Sequence, residues 1–315
     1  MAMSEKVLQK IIVLCGPTAS GKSDLALRLA PLLNAEIVNA DSMQIYRGLT
    51  IGTAKPSGEQ IALVPHHLID SADPDQQFSA ADFAAAASEA IADITRRGKR
   101  ALVVGGTGLY IRALVKGLVD SPGGDDAMRR SLQAEAELVG NEEMHNRLRL
   151  VDPELAATLH PNNLVRIIRA LEVFQLTGIP LSRHQHEHGF ASHHYETLQI
   201  GISVPRELLY QRIEERVDQM ISAGLLAEVK GLLDAGFSRD LKALRSIGYK
   251  EVAAYLCGEI SLEEAIRLIK RDTRHYAKRQ LTWFSADPDI LWFEYPEKFD
   301  TITMYAIEFF ARGEA

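Results

Sequence analysis

Cysteine is almost missing from this chain: Cys15 and Cys257 are the only two among 315 residues. Two thiols supply neither a disulfide framework nor the spacing of a zinc site, so a reducing cytoplasm is the expected compartment. Missing too is an apolar run long enough to cross a bilayer. Met1 to Lys10 is polar and charged and the first apolar run is short, so neither a signal peptide nor a membrane span is expected. Positive charge is in deficit. The net formal charge is −7, which weighs against non-specific nucleic-acid binding, although local charge matters more than the sum. No internal repeat or low-complexity tract appears, which excludes a repeat array. The 46% of apolar residues is enough for a sizeable core, in one large domain or a domain carrying an insertion.

The chain is organised around Ile11–Cys15 and the eight residues after it. Five apolar residues read as a buried strand, and Gly16, Pro17, Thr18, Ala19, Ser20, Gly21, Lys22 and Ser23 match a P-loop at every fixed position. Asp24 to Leu33 continues at helical spacing, so the motif has its strand–loop–helix setting. Backbone N–H groups and the partial positive charge of the helix N-terminus surround a phosphate chain in such a loop. Lys22 adds a point charge, and the Ser23 hydroxyl is placed to ligate Mg²⁺. A diphosphate or triphosphate is the expected ligand.

Further strands are expected at Ala35–Ala40, Arg100–Val104, Thr197–Val204 and Asp289–Phe293, and helices at Ala80–Arg97, Arg206–Ala223, Leu225–Leu233, Tyr249–Leu256, Leu262–Phe284 and Thr301–Arg312. This alternation calls for an α/β fold, a P-loop NTPase-like parallel sheet flanked by helices, with ligands at the carboxyl ends of the strands. Ser121–Asp126 reads as a linker, and Ala127 to Leu176 holds helical segments only. Residues 1–119 and 191–315 are therefore expected to form the core and 120–190 an all-helical insertion domain. The group His184, His186, His188, His193 and His194 reads as a polar surface loop in preference to a metal site, because no cysteine accompanies it.

One acid is absent where P-loop hydrolases need it. The strand at Arg100–Val104 runs into Gly105, Gly106 and Thr107, with no Walker-B carboxylate. Backbone N–H groups and the Thr107 hydroxyl could bind phosphate there, or the glycines could simply make a tight turn. Asp41, ending the second strand, could take a proton from a nucleophile, hold a magnesium water or cap a turn. Arg212 and Arg216 share a helix face that could clamp a leaving diphosphate; Arg212 could equally pair with Glu215 or Asp218 on the surface. The late helix carries Arg267, Lys270, Arg271, Arg274, Lys278 and Arg279 around a single acid, Asp272. That stripe reads as a solvated face or as a surface for a polyanion such as RNA. Arg245, Ser246, Ile247, Gly248, Tyr249 and Lys250 add basic groups on a loop, with Tyr249 placed to stack on an unpaired base.

Together these residues resemble one family, the tRNA dimethylallyltransferases, also called tRNA isopentenyltransferases. The resemblance rests on Gly16–Ser23, Asp41-Ser42 with Gln44-Ile45-Tyr46, Ile51–Pro56, His66–Asp70, Gly105–Tyr110, Arg169–Val173, Ile247–Tyr249 and Lys278–Trp283, and spans residues 11 to 284. Ser23 stands where many members have threonine and keeps the hydroxyl. The zinc finger of eukaryotic members cannot be built from two cysteines, which fits the shorter bacterial form. The resemblance implies that the P-loop residues and Arg212 hold dimethylallyl diphosphate, with Mg²⁺ on Ser23. It implies transfer of the five-carbon group to N6 of adenosine 37 in tRNAs that read codons beginning with U. Asp41 maps onto the general base, Arg216 onto the diphosphate-binding arginine, and Thr107 stands with them at the reacting centre. It also implies tRNA contacts at Asp41, Ser42, Met43, Gln44, Thr107, Arg129, Val165, Arg166, Ile167, Ile168 and Arg169, and at Arg245 to Lys250. The insertion is then expected to embrace the anticodon stem-loop, and the enzyme to act as a monomer without a membrane. Three other readings compete: a small-molecule P-loop kinase, a transferase acting on free AMP or ADP, and a non-catalytic RNA-binding protein.

Overall fold

The strand β1 (Gln9–Cys15) is buried on both faces from Ile11 onward, which suits only the middle of a parallel sheet covered on each side. In the computed structural model, which describes residues 8–118, 124–188 and 194–312, β1 occupies that place. After it come α1 (Lys22–Leu32), β2 (Ala35–Asn39), α2 (Gly58–Leu63), β3 (His66–His67), α3 (Ala80–Arg96), β4 (Arg100–Val104) and α4 (Gly108–Lys116). A run of helices follows: α5 (Asp126–Val139), α6 (Asn141–Val151), α7 (Pro153–Thr158), α8 (Leu164–Thr177) and α9 (Leu181–His188). The sheet resumes with β5 (Tyr195–Ser203), then α10 (Arg206–Ser222), α11 (Leu225–Asp234), α12 (Tyr249–Leu256), α13 (Leu262–Ser285), β6 (Ile290–Glu294) and α14 (Phe299–Ala311).

The six strands run in the order β3-β2-β4-β1-β5-β6, and every pairing is parallel. Alternate residues of β1 serve the two faces, as the strand period requires. Ile12 and Leu14 join Leu25, Leu29, Phe309 and Phe310 on one side. Ile11, Val13 and Cys15 join Phe83, Ile91, Ile111 and Leu114 on the other. From β1 the chain goes towards β2, whereas from β4 it returns past β1 to β5. The gap between the carboxyl ends of β1 and β4 is therefore a topological switch point, where the loops diverge and leave a crevice.

By contact the chain divides into two compact units, Met1–Val115 with His194–Ala315, and Lys116–His193. The second is helical throughout its described residues and has its own core of Leu132, Met144, Leu148, Ile167, Ile168 and Leu171. At its centre Glu172, fully buried, accepts from the Asp125 N–H at 2.7 Å, from Arg129 Nε at 3.0 Å and from Arg169 Nη1 at 2.7 Å.

One expectation changes here. The histidine group is not a loop at its start, because His184 and His186 lie on α9, with His186 Nε2 2.6 Å from Glu154. His193 and the linker residues 121–123 lie outside the described residues. Among the described residues no three His, Cys, Asp or Glu side chains gather in a way that could hold a metal, and no helix is long and apolar enough to cross a membrane.

Candidate active site

A cleft of about 800 Å³ opens at the carboxyl ends of β1, β2 and β4, between the P-loop and helices α10 and α13. Its floor is the loop after β1. Gly16 has φ +136° and a Cβ there would lie 3.0 Å from the Ile202 carbonyl, so only glycine lets the loop turn back over β5. Lys22 Nζ donates to the Pro17 carbonyl at 2.6 Å. Burial pushes the Lys22 ammonium down to about 8, with the positive charge of Arg216 adding to the shift and Asp41 opposing it. Arg216 lies across from it, Nη1 3.4 Å from Thr18 Oγ1, and burial likewise lowers its pKa. Desolvated cations with no full counter-charge favour a bound anion.

The second wall begins where β2 ends. Asp41 Oδ1 accepts the N–H groups of Met43 at 2.8 Å and Gln44 at 3.3 Å, closing a turn. No donor among the described residues takes its other oxygen. The Ser42 N–H donates to Thr107 Oγ1 at 3.0 Å, and the Thr107 N–H donates to the Ala40 carbonyl at 3.2 Å. The loops after β2 and β4 are thus stitched together. Gly105 permits this closeness, since a Cβ there would fall 2.1 Å from the Ala40 carbonyl oxygen. Those glycines make the tight turn that was the plainer of the two readings, and they also bring Thr107 beside Asp41's turn.

Gln280 of α13 closes the arrangement, and it was not foreseen. Its Oε1 accepts the Thr18 N–H at 2.8 Å and its Nε2 donates to the Gly106 carbonyl at 2.9 Å. One buried amide therefore straps the P-loop to the loop after β4, across the switch point. Tyr276, one turn earlier, has its hydroxyl raised to about 12 by burial, with the Asp41 charge adding to the shift. The signal that could have found them is a row of uncharged polar residues, Thr273, Tyr276 and Gln280. It recurs at helical spacing in a helix whose other inward positions are Ala265, Ile269, Ala277 and Phe284. Gln280→Ala is expected to weaken binding of inorganic diphosphate about tenfold, the worth of one to two hydrogen bonds in a closed site. Isothermal titration would check it, and an unchanged affinity would remove the strap from the site's design.

Most of the expected site residues meet in this one cleft. Thr18–Ser23, Asp41–Gln44, Arg212, Arg216 and Arg245–Tyr249 all line it. The alternative partners of Arg212 are taken, since Glu215 accepts from Gln211 and Asp218 pairs with Lys270. Gly16 and Pro17 are buried beneath the loop. Lys250 is turned onto Asp272 and Glu251. The expected contacts in the helical unit separate by burial: Val165 and Arg166 are exposed, whereas Ile167 and Ile168 belong to that unit's core and offer RNA no side chain. Arg129 and Arg169 are held by Glu172.

Two further readings are corrected. Tyr249 is fully buried, with its hydroxyl donating to Glu228 Oε1 at 2.5 Å and its ring filling the space left by Gly52. It supports the Thr50–Gly52 turn, whose N–H groups also go to Glu228, and has no face to offer a base. The basic stripe of α13 is mostly neutralised. Arg267 pairs with Glu264, Lys270 with Asp218, Arg271 with Asp272 and Arg274 with Glu214. Two of those acids come from α10, so counting charges along one helix overstated the stripe.

Comparisons with known proteins agree on the neighbourhood. The family model described as IPP transferase matches residues 44–287. The chain is 65% identical to tRNA dimethylallyltransferase 1 of Pelobacter propionicus, covering 98% of this chain and 100% of that one. It is 60% identical to the tRNA dimethylallyltransferase of Geobacter metallireducens, with the same coverage. Among solved structures, a full-length tRNA isopentenylpyrophosphate transferase from Bacillus halodurans aligns with a TM-score of 0.71 at 42% identity, over 96% of each chain. A eukaryotic dimethylallyltransferase described as acting on tRNA aligns with a TM-score of 0.79 at 32% identity, over 95% of this chain and 78% of that one. The P-loop precedes the residues matched by the family model but falls within these near full-length alignments.

Proposed function

The chain belongs to the IPP transferase family, and from that membership we propose that the cleft transfers a dimethylallyl group from dimethylallyl diphosphate to N6 of adenosine 37 in tRNAs reading codons that begin with U. The observation that carries this reading is the pairing of a complete P-loop with an acid placed off the phosphate path. A P-loop kinase or hydrolase needs a carboxylate at the end of such a strand to hold its metal, and β4 runs from Val104 straight into Gly105 and Gly106. The acid present, Asp41, ends β2 on the opposite wall, within electrostatic reach of Lys22 and Arg216.

In this reading the P-loop N–H groups, Lys22, Arg212 and Arg216 hold the diphosphate and stabilise the charge that builds on it as the C1–O bond breaks. The adenine amine forms the new bond to C1. The proton it releases passes to Asp41, and Thr107 fixes the turn that presents the carboxylate. A stacked base cannot reach the P-loop, so adenosine 37 must be turned out of the anticodon loop. The helical unit Lys116–His193, with Arg166 and Val165 exposed, is assigned to grip the stem-loop. Mg²⁺ would be held at the Ser23 hydroxyl, a hard oxygen donor that lines the cleft at the start of α1. When bound, it would neutralise part of the leaving diphosphate. We take a monomer in the cytoplasm as the working unit, the compartment following from the two unpaired thiols, Cys15 and Cys257.

The test is to incubate labelled dimethylallyl diphosphate with an unmodified anticodon stem-loop RNA, and separately with AMP. Label on the stem-loop alone is expected. Label on AMP, or consumption of ATP by the protein, would sink the reading in favour of a nucleotide-level transferase or a kinase.

A further inference from the structure

Tyr295 directly follows β6, beyond the residues matched by the family model, and its side chain reaches back to the P-loop. The strand brings it there by pairing with β5, whose Ile202 lies under Gly16. The Tyr295 ring covers Gly21, where a Cβ would lie 3.0 Å from Cδ1. Gly21 has φ +99° and is the N-cap of α1, and no side-chain hydrogen bond caps that end. The Tyr295 hydroxyl donates to Asp24 Oδ2, in the first turn of the helix. One side chain therefore touches the residue before Lys22 and the residue after Ser23.

The tyrosine is itself held. It is 6% exposed, in the core it shares with Leu25, Leu29, Phe309 and Phe310. Arg28, one turn after Asp24, donates to the same hydroxyl at 3.1 Å, and its guanidinium lies 3.8 Å from the centroid of Phe299. The hydroxyl thus accepts from Arg28 while it donates to Asp24. Burial and the Asp24 hydrogen bond both raise its pKa, which keeps it a donor at neutral pH. Asp24 needs such a partner. It lines the cleft, and an acid in the first turn favours the helix but opposes an anion bound at the same N-terminus. A hydrogen bond from Tyr295 occupies that carboxylate and offsets part of its charge.

We propose that Tyr295 is a positioning residue for the diphosphate site: its ring sets the Gly21 turn and its hydroxyl keeps Asp24 engaged, so that Lys22 and Ser23 meet the anion without a competing acid. The role of that anion as a leaving group rests on the prenyl-transfer reading above. The positioning rests on the contacts at Gly21 and Asp24.

Isothermal titration with inorganic diphosphate tests it, at a temperature where circular dichroism shows every variant folded. In Tyr295→Phe, which keeps the ring, diphosphate affinity should fall by about 3- to 30-fold, part or all of the worth of a hydrogen bond to a charged group. Affinity for an anticodon stem-loop RNA should match that of the parent. Tyr295→Leu removes the ring as well and should lose more. In an Asp24→Asn background, Tyr295→Phe should cost less than about threefold, because the acid it restrains is gone. Unchanged diphosphate affinity in Tyr295→Phe would overturn the proposal. So would an equal fall in stem-loop affinity, the mark of a loosened core, or an undiminished effect beside Asp24→Asn. Diphosphate binding without prenyl transfer by the parent protein would keep the positioning role and reject the reaction; no diphosphate binding by the parent would reject both.

Discussion

Asp41→Asn is expected to lower kcat for prenyl transfer by about 10²- to 10⁴-fold, the usual contribution of a positioned general base, while KM for tRNA stays nearly unchanged. The choice of asparagine follows from the geometry. Asp41 serves two ends: Oδ1 caps the turn through the N–H groups of Met43 and Gln44, and the second oxygen faces no donor among the described residues. Asparagine keeps an acceptor for the cap and loses the ability to take a proton. Asp41→Ala removes both, so the difference between the two variants measures the turn alone. Rapid-quench measurement of a single turnover isolates the chemical step. If Asp41→Asn reacts at the parental rate while Asp41→Ala is slow, Asp41 is a turn cap and the proton leaves by another route.

The second large effect is expected at Lys22. Removing one preorganised charge from the position where leaving-group charge develops costs about 10²- to 10³-fold in kcat, so Lys22→Met should be slow even at saturating dimethylallyl diphosphate. A pH dependence accompanies this. In the free protein, burial and the neighbouring Arg216 hold Lys22 at about 8. A bound diphosphate supplies the missing counter-charge and raises that pKa, so binding above pH 8 must take up a proton. The affinity of the parent for inorganic diphosphate, relative to that of Lys22→Met, should therefore fall above pH 8, by at most about tenfold per pH unit until the bound-state pKa is reached. Isothermal titration in buffers of different ionisation enthalpy would count the proton directly. Lys22→Met should lower the proton count by up to one relative to the parent, and an unchanged count would assign the titration to another group. Arg216 carries no such signal, because its guanidinium stays charged throughout that range.

Some of the site was legible residue by residue, and the reason is local. A P-loop is a contiguous piece of backbone whose glycines and hydroxyls act through their own main chain, so Gly16–Ser23 announces itself and its helix α1. Asp41 and Thr107 were found because they sit where strands end, and strand ends can be read from apolar periodicity. Arg212 and Arg216 were found as one face of one helix, although their surface alternative fell only when the structure showed Glu215 and Asp218 engaged elsewhere.

What failed was every reading that needed to know the neighbour. Tyr249 looked like a platform because its loop is polar, but a helix distant in sequence brings Glu228 beneath it. Ile167 and Ile168 looked like contacts because their segment matches, yet half of any amphipathic helix faces its own core. The α13 stripe looked free because two of the acids that cancel it, Glu214 and Asp218, lie on α10. Gln280, a single neutral side chain, gains its role only when two loops more than 85 residues apart reach it together.

The sequence by itself determined the anion cradle, the placing of ligands at the carboxyl edge of a parallel sheet, and the candidate acid, since these depend on main-chain patterns and periodicity within short windows. Only the tertiary structure decided which charges remain unpaired and which aromatic stays exposed. Pairing and burial are properties of distances between residues far apart in the chain, and no spacing along the chain contains them.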